Sequence, residues 1–186
     1  MSNIAHFWVE QNLGSGDVKL LKKNTGQGAG SNFYWSGDTI YSYGRHFPIA
    51  KVVTVRKEKV VLFTRRGYSN TTSKHIHQVR SALRGRDVKV FDVAHAEMPD
   101  AAVEKAHFEG VAAEAFHKSE KSRDFALSYI QSGVAAVAEG NRLSKFFKLG
   151  FKLKLPANLK ALTLRAKAAT AKAEVRAAAR RAQQSA

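Results

Sequence analysis

Cysteine is absent from the 186 residues. Its absence removes disulfides, thiolate-bound zinc, iron–sulfur clusters and thiol nucleophiles, and it fits a reducing compartment. No stretch approaches the roughly 18 apolar residues of a membrane-spanning helix, so no span is expected. The opening residues Met1 to Trp8 hold neither a basic start nor a long apolar run, so no secretory leader is expected there. No Gly-x-Ser-x-Gly elbow and no P-loop is present. Acidic side chains are scarce, 15 against 31 Lys and Arg, which leaves a formal net charge of +16. These shortages name no reaction. The charge points to a polyanionic partner.

What is present suffices for a core. Hydrophobic residues make up 44% of the chain, with eleven Phe. The length suits one domain, or a small domain with an appendage. Charge divides the chain unevenly. Residues 1–98 carry 15 basic and 7 acidic side chains, residues 99–140 carry 4 and 7, and residues 141–186 carry 12 and 1. An excess gathered in one terminal quarter reads as an interaction arm, although it also keeps a chain soluble.

Local patterns predict an α+β fold: a small antiparallel sheet with one packed helix (1–98), a helical pair (99–140), then a basic segment and Ala-rich helical tail (141–186). Phe7, Trp8, Val9, Leu13, Val18, Leu20 and Leu21 suggest one or two short strands around Gly14-Ser15-Gly16. Asn24–Asn32, with Gly26, Gly28 and Gly30, reads as a flexible loop. Phe33–Trp35 and Thr39–Tyr43 flank the turn Ser36-Gly37-Asp38, and Ile49–Val55 and Val60–Thr64 flank the charged turn Arg56–Lys59. The period then changes. Ser69–Ser73 offers helix caps and Gly85 a stop. Thr72, Ile76, Val79 and Leu83 fall within about 60° on a helical wheel, beside a cationic arc of Lys74, His77, Arg80 and Arg84. Asp87–Val93 adds a strand. Two helices follow, near 100–118 and 123–139, with Pro99 suited to the first helical position and Gly140 to the end of the second. The core is expected to lie before Gly140.

Phe147, Leu149, Phe151, Leu153 and Leu155 alternate with lysines and a glycine, the period of an edge strand with a cationic face. Ala157–Ala182 has no Gly or Pro and predicts a helix of about 26 residues, near 40 Å. Its stripe is Leu159, Leu162, Ala166, Ala169, Ala173 and Ala177, and the methyl groups toward its end bury little area.

Three kinds of site are legible. Candidate nucleic-acid contacts are Arg65, Arg66, Lys74, Arg80 and Arg84 on the domain. On the tail they are Lys152, Lys154, Lys167, Lys172, Arg176, Arg180 and Arg181. Ser69, Thr71, Thr72 and Ser73 would offer hydroxyls and backbone N–H groups to a phosphate at a helix start, or serve as an ordinary cap. Tyr41, Tyr43 and Phe47 could stack bases beside it. His46 and His75 could act as acid and base in a metal-independent nuclease if the fold brought them together. No metal site and no cofactor are expected, because His75 and His77 point about 200° apart on a helix and the carboxylates are scattered.

Two strings carry a resemblance: Trp35-Ser-Gly-Asp-Thr-Ile-Tyr-Ser-Tyr-Gly-Arg-His-Phe-Pro-Ile-Ala50 and Tyr68-Ser-Asn-Thr-Thr-Ser-Lys-His75. Together they resemble a family of small bacteriophage and mobile-element proteins with SYGxHFPxA and YSxTTSKH motifs. The resemblance covers roughly residues 33–93. It implies a viral or mobile-element origin and no particular activity. The expected function is therefore electrostatic association with DNA or RNA, in the host cytoplasm or a virion. The alternatives are a virion component or a protein that docks on an acidic host surface, and the small nuclease.

Overall fold

The computed structural model describes residues 4–14, 25–27, 32–43, 46–67, 69–122 and 124–184. The chain divides into two compact units, Met1–Pro99 and Asp100–Ala186. The first is an α+β unit and the second is helical, ending in a long C-terminal helix.

The first unit opens with a helix, α1 (Ile4–Leu13), where strands were expected. Ile4, Ala5, Trp8 and Val9 are buried and span about 140° of a helical wheel, so one side of a helix buries them all. Phe7, part of the supposed strand pattern, lies off that arc and is 41% exposed. The remaining residues of that expected strand pair, Val18, Leu20 and Leu21, lie outside the described residues, as do Gly28 and Gly30. Within the expected loop, Thr25–Gln27 forms strand β1.

Five further strands follow: β2 (Phe33–Ser36), β3 (Thr39–Ser42), β4 (Phe47–Val55), β5 (Glu58–Thr64) and β6 (Lys89–Val93). Their order in the sheet is β1-β2-β3-β4-β5-β6. Neighbours are antiparallel up to β5. β5 and β6 are parallel, because helix α2 (Asn70–Ala82) carries the chain back between them. Phe33, Trp35, Ile40, Val61 and Phe63 form one core with Trp8 and Val9 of α1 and Val79 of α2. Two helices, not one, therefore cover that face. Val79 and Leu83 are buried as the wheel predicts, Ile76 is half-buried, and Lys74, His77, Arg80 and Arg84 are exposed.

The β4–β5 hairpin turns through Arg56 and Lys57, both left-handed at φ +51° and +70°. Such a turn matches strand twist but favours Asn or Gly, since a side chain there is disfavoured by about 1 kcal/mol. Lys57→Gly is expected to raise unfolding stability by about 0.5–1 kcal/mol, measured by urea titration. A loss of stability would show that the turn tolerates Lys57 without strain.

The second unit holds α3 (Ala101–Lys121), α4 (Ala126–Phe147) and α5 (Leu159–Gln184). Asp100 caps α3 by accepting from the N–H groups of Ala102 and Val103 at 3.0 Å each, which leaves Pro99 ahead of the cap rather than inside the helix. Gly140 does not end α4. It lies buried within the helix, where an added Cβ would come within 2.6 Å of Leu153 Cδ1 and 2.9 Å of Phe108 Cγ. Gly133, two turns earlier, faces the Phe116 ring in the same way. The two glycines form hollows that seat the two phenylalanines of antiparallel α3. The expected division at 140/141 thus falls inside a helix, and Leu143, Leu153 and Ala166 beyond it are buried.

Candidate nucleic-acid interface

The two motifs quoted above meet in the first unit. Ser69 caps α2, its hydroxyl accepting from the Thr72 N–H at 3.2 Å and pairing with the Tyr43 hydroxyl at 3.0 Å. Thr72 pairs with Ser42 at 3.3 Å, and Ser42 with His75 Nδ1 at 2.9 Å. His75 then stacks on Phe33, with centroids 4.4 Å apart and planes 9° from parallel. A chain of side-chain hydrogen bonds therefore ties β3 and the residue after it to α2. Hydrogen bonds from Ser69, and next from Thr71, favour the Tyr43 phenolate and lower its pKa. The Ser73 hydroxyl donates back to the Ser69 carbonyl at 3.2 Å. Of the hydroxyls expected to meet a phosphate, Thr72 is buried, and Ser69 and Ser73 are held by local bonds. Thr71 is exposed.

His75 is buried and Ser42 wholly so. The Ser–His pair is packed between β3 and α2. His46 is exposed in the turn before β4, and His75 Nδ1 is paired with Ser42 instead. Burial disfavours the imidazolium and lowers the His75 pKa below its ordinary 6.5. The unfolded chain therefore takes up this proton first as pH falls. The stability that neutral His75 contributes is complete above about pH 6.5 and declines as pH drops toward the folded-state pKa. Urea midpoints measured from pH 7.5 to 5 are expected to fall in the wild type and to fall less in His75→Gln. Equal slopes would remove His75 as their source.

The domain cations differ in availability. Arg65 donates to the Asp92 carbonyl at 2.6 Å. Arg80 pairs with the Asp92 carboxylate and lies 4.4 Å over the Phe63 ring. Arg66 is exposed, 6.0 Å from the Phe47 centroid. Lys74 on α2 and Arg84 in the turn after it are exposed. Tyr41 is half-buried against Tyr34, with centroids 5.9 Å apart.

In the second unit, residues 149–155 form no strand. Lys148 closes α4 in the left-handed conformation, and the chain turns back beside the helix. Side chains of α4 take the place of a partner strand. Asn141 accepts from the Leu153 N–H at 2.7 Å and donates to its carbonyl at 3.1 Å. Ser144 donates to the Phe151 carbonyl at 2.6 Å. The period-2 pattern holds as burial up to Leu153, which is buried, with Phe147, Leu149 and Phe151 half-buried and Lys148, Lys152 and Lys154 exposed; Leu155 breaks it at 44% exposure. Its cause is an extended strap on a helix, not a sheet.

α5 packs Leu159, Leu162 and Ala166 against Ala126 and Ile130 of α4. From Glu174 to Arg181 every residue is exposed. Lys160, Arg165, Lys167, Lys172, Arg176, Arg180 and Arg181 are all exposed, with Glu174 the one acidic residue on the helix. Leu164 and Val175 are 72% and 70% exposed and, eleven residues apart, share one side of the helix. That second apolar side lies nearly opposite the stripe read from the sequence, which had missed it.

Among the described residues no cluster of three or more His, Asp or Glu is placed to hold a metal ion. Among them, too, no helix is long and apolar enough to cross a membrane. Compared with family models, curated proteins and solved structures, the chain matches none.

Proposed function

We propose that the protein binds DNA or RNA chiefly through the phosphate backbone, using the second unit's strap and α5. The observation that carries this reading is the distal half of α5. From Glu174 to Arg181 it is exposed, it bears Arg176, Arg180 and Arg181, and alanine fills most of the remainder. A helix end this exposed gains stability from a partner, and this surface favours an anionic one. Lys152 and Lys154 on the strap extend the same charge. Lys74, Arg84 and Arg66 would supply secondary contacts. The motif resemblance supports a bacteriophage or mobile-element setting, with the host cytoplasm or a virion as the place of action.

Burial of His75 and Ser42 argues against the nuclease alternative. The exposed pair Leu164 and Val175 favours a second reading, in which α5 docks on an acidic protein surface.

Anisotropy of labelled DNA and RNA duplexes, titrated with the full chain at low salt, tests the proposal. Binding to both is expected, with little dependence on sequence. No binding at about 50 mM salt would contradict it and leave the protein-docking reading.

A further inference from the structure

The strap between α4 and α5 borders two clefts. One, of about 530 Å³, lies at the end of α4 and is lined by Lys145, Lys148, Lys152 and Phe151, with Asn141 and Ser144 beneath. The other, of about 450 Å³, shares Lys152, adds Lys105 and Lys154, and has Phe116 and Val137 among its lining. Both fall within the size of small-ligand sites. The first holds no acidic residue, and Lys145, Lys148 and Lys152 are exposed without an ion pair among the described residues.

Lysines at a helix end have an ordinary use, since they offset the carbonyl end of the helix dipole. That end amounts to about half an elementary charge. Three lysines exceed it several-fold, so most of their charge stays available to a ligand. The polar groups at the base are already satisfied, because Asn141 and Ser144 bond to the strap backbone. What remains for a ligand is the half-buried Phe151 ring and a rim of ammonium groups. An aromatic surface with cations around it suits a flat base joined to phosphates.

We infer that the cleft at the end of α4 takes a nucleotide of a single-stranded nucleic acid, its base against Phe151 and its phosphates among Lys145, Lys148 and Lys152. The inference rests on the nucleic-acid reading above and narrows it. A duplex keeps its bases stacked and paired, so it meets the lysines but not Phe151. An unpaired strand meets both. Lys152, shared by the two clefts, gives the strand a path over the strap toward Lys154.

The test compares a labelled oligothymidylate with a DNA duplex of equal phosphate number, using the full chain. Phe151→Ala is expected to weaken single-strand binding about tenfold, the effect of losing one stacked base. Duplex binding and both salt slopes should stay unchanged. Phe151→Leu, which keeps apolar volume, should behave like Phe151→Ala, and Phe151→Trp should restore binding. Thermal melts of each variant separate lost contact from lost fold. Equal weakening of single strand and duplex by a folded variant, or no weakening of either, would overturn the inference and leave the electrostatic reading intact. Polyglutamate displacing the oligonucleotide as well as unlabelled oligothymidylate does would also overturn it, in favour of an acidic protein ligand. Failure of the wild type to bind either nucleic acid would overturn both.

Discussion

Gly140→Leu is expected to destabilise the second unit by about 3 kcal/mol or more. The hollow at Gly140 is already occupied. Its missing Cβ would lie 2.6 Å from Leu153 Cδ1 and 2.9–3.0 Å from Phe108 Cγ and Cβ. The end of Leu153 can move, but Asn141 holds that residue's backbone on both sides. Phe108 is buried on α3 and has less freedom. A branched side chain must therefore part α3 from α4 or lift the strap. Gly110→Ala is the matched control. Gly110 also lies within a helix, but nothing stands within 4 Å of its missing Cβ. There the gain in helix propensity should dominate and stabilise by about 1 kcal/mol. Denaturant midpoints for the two variants should move in opposite directions. If both rise, α3 and α4 are not packed through Gly140.

Removal of residues 174–186 should have the opposite character: little effect on stability and a large effect on binding. Glu174 to Arg181 are exposed, and the α5 core contacts at Leu159, Leu162 and Ala166 precede the cut. The deletion takes away Arg176, Arg180 and Arg181 against a single acid, Glu174. If each arginine neutralises one phosphate, the salt slope of duplex binding should flatten by about 3. Affinity at about 50 mM salt should fall at least tenfold. Thermal melts and anisotropy on one preparation give both readouts. A collapsed melting transition would show that the distal helix is part of the core.

The elements most legible in the sequence were those whose pattern has one physical cause. The α2 wheel from Thr72 to Leu83 follows from a single amphipathic face. The Gly37-Asp38 turn joins its strands because the chain must reverse between Trp35 and Thr39, and Gly37 supplies the positive φ of +55°. α5 was legible because alanine, lysine and arginine without Gly or Pro leave few other conformations. Patterns with two causes misled. Alternation at Phe147–Leu155 arises equally from a strand and from an extended strap, and only Asn141 and Ser144, six and three residues before Phe147, decide between them. Gly140 reads as a stop or as a hollow. The pairing of Gly133 and Gly140 with Phe116 and Phe108 was available as a clue, at heptad-like spacing on two antiparallel helices. α1 was missed because Trp8 and Val9 suit strands intrinsically, and burial of Ile4 and Ala5 on the same face outweighs that preference.

The site residues divide along similar lines. Exposure of Lys74 and the α5 cations follows from helical phase, so it could be read in advance. The pairing of Arg80 with Asp92 depends on β6 lying beside β5, a contact set by the crossover. The Ser42–His75 bond likewise joins residues 33 apart, and no local pattern announces it. Once seen, it shows that Ser42 of the first string and Thr72 and His75 of the second belong to one fold-locking network. Ser42, Ser69, Thr72 and His75, which look chemically equipped, tie α2 to the sheet.

The salt dependence of duplex binding tests the central claim most directly. The observed association constant of the full chain should be measured by anisotropy between about 50 and 300 mM salt. If strap and α5 together neutralise about six phosphates, the log–log slope should lie near −5. A slope shallower than about −2 would contradict an interface built on phosphate contacts.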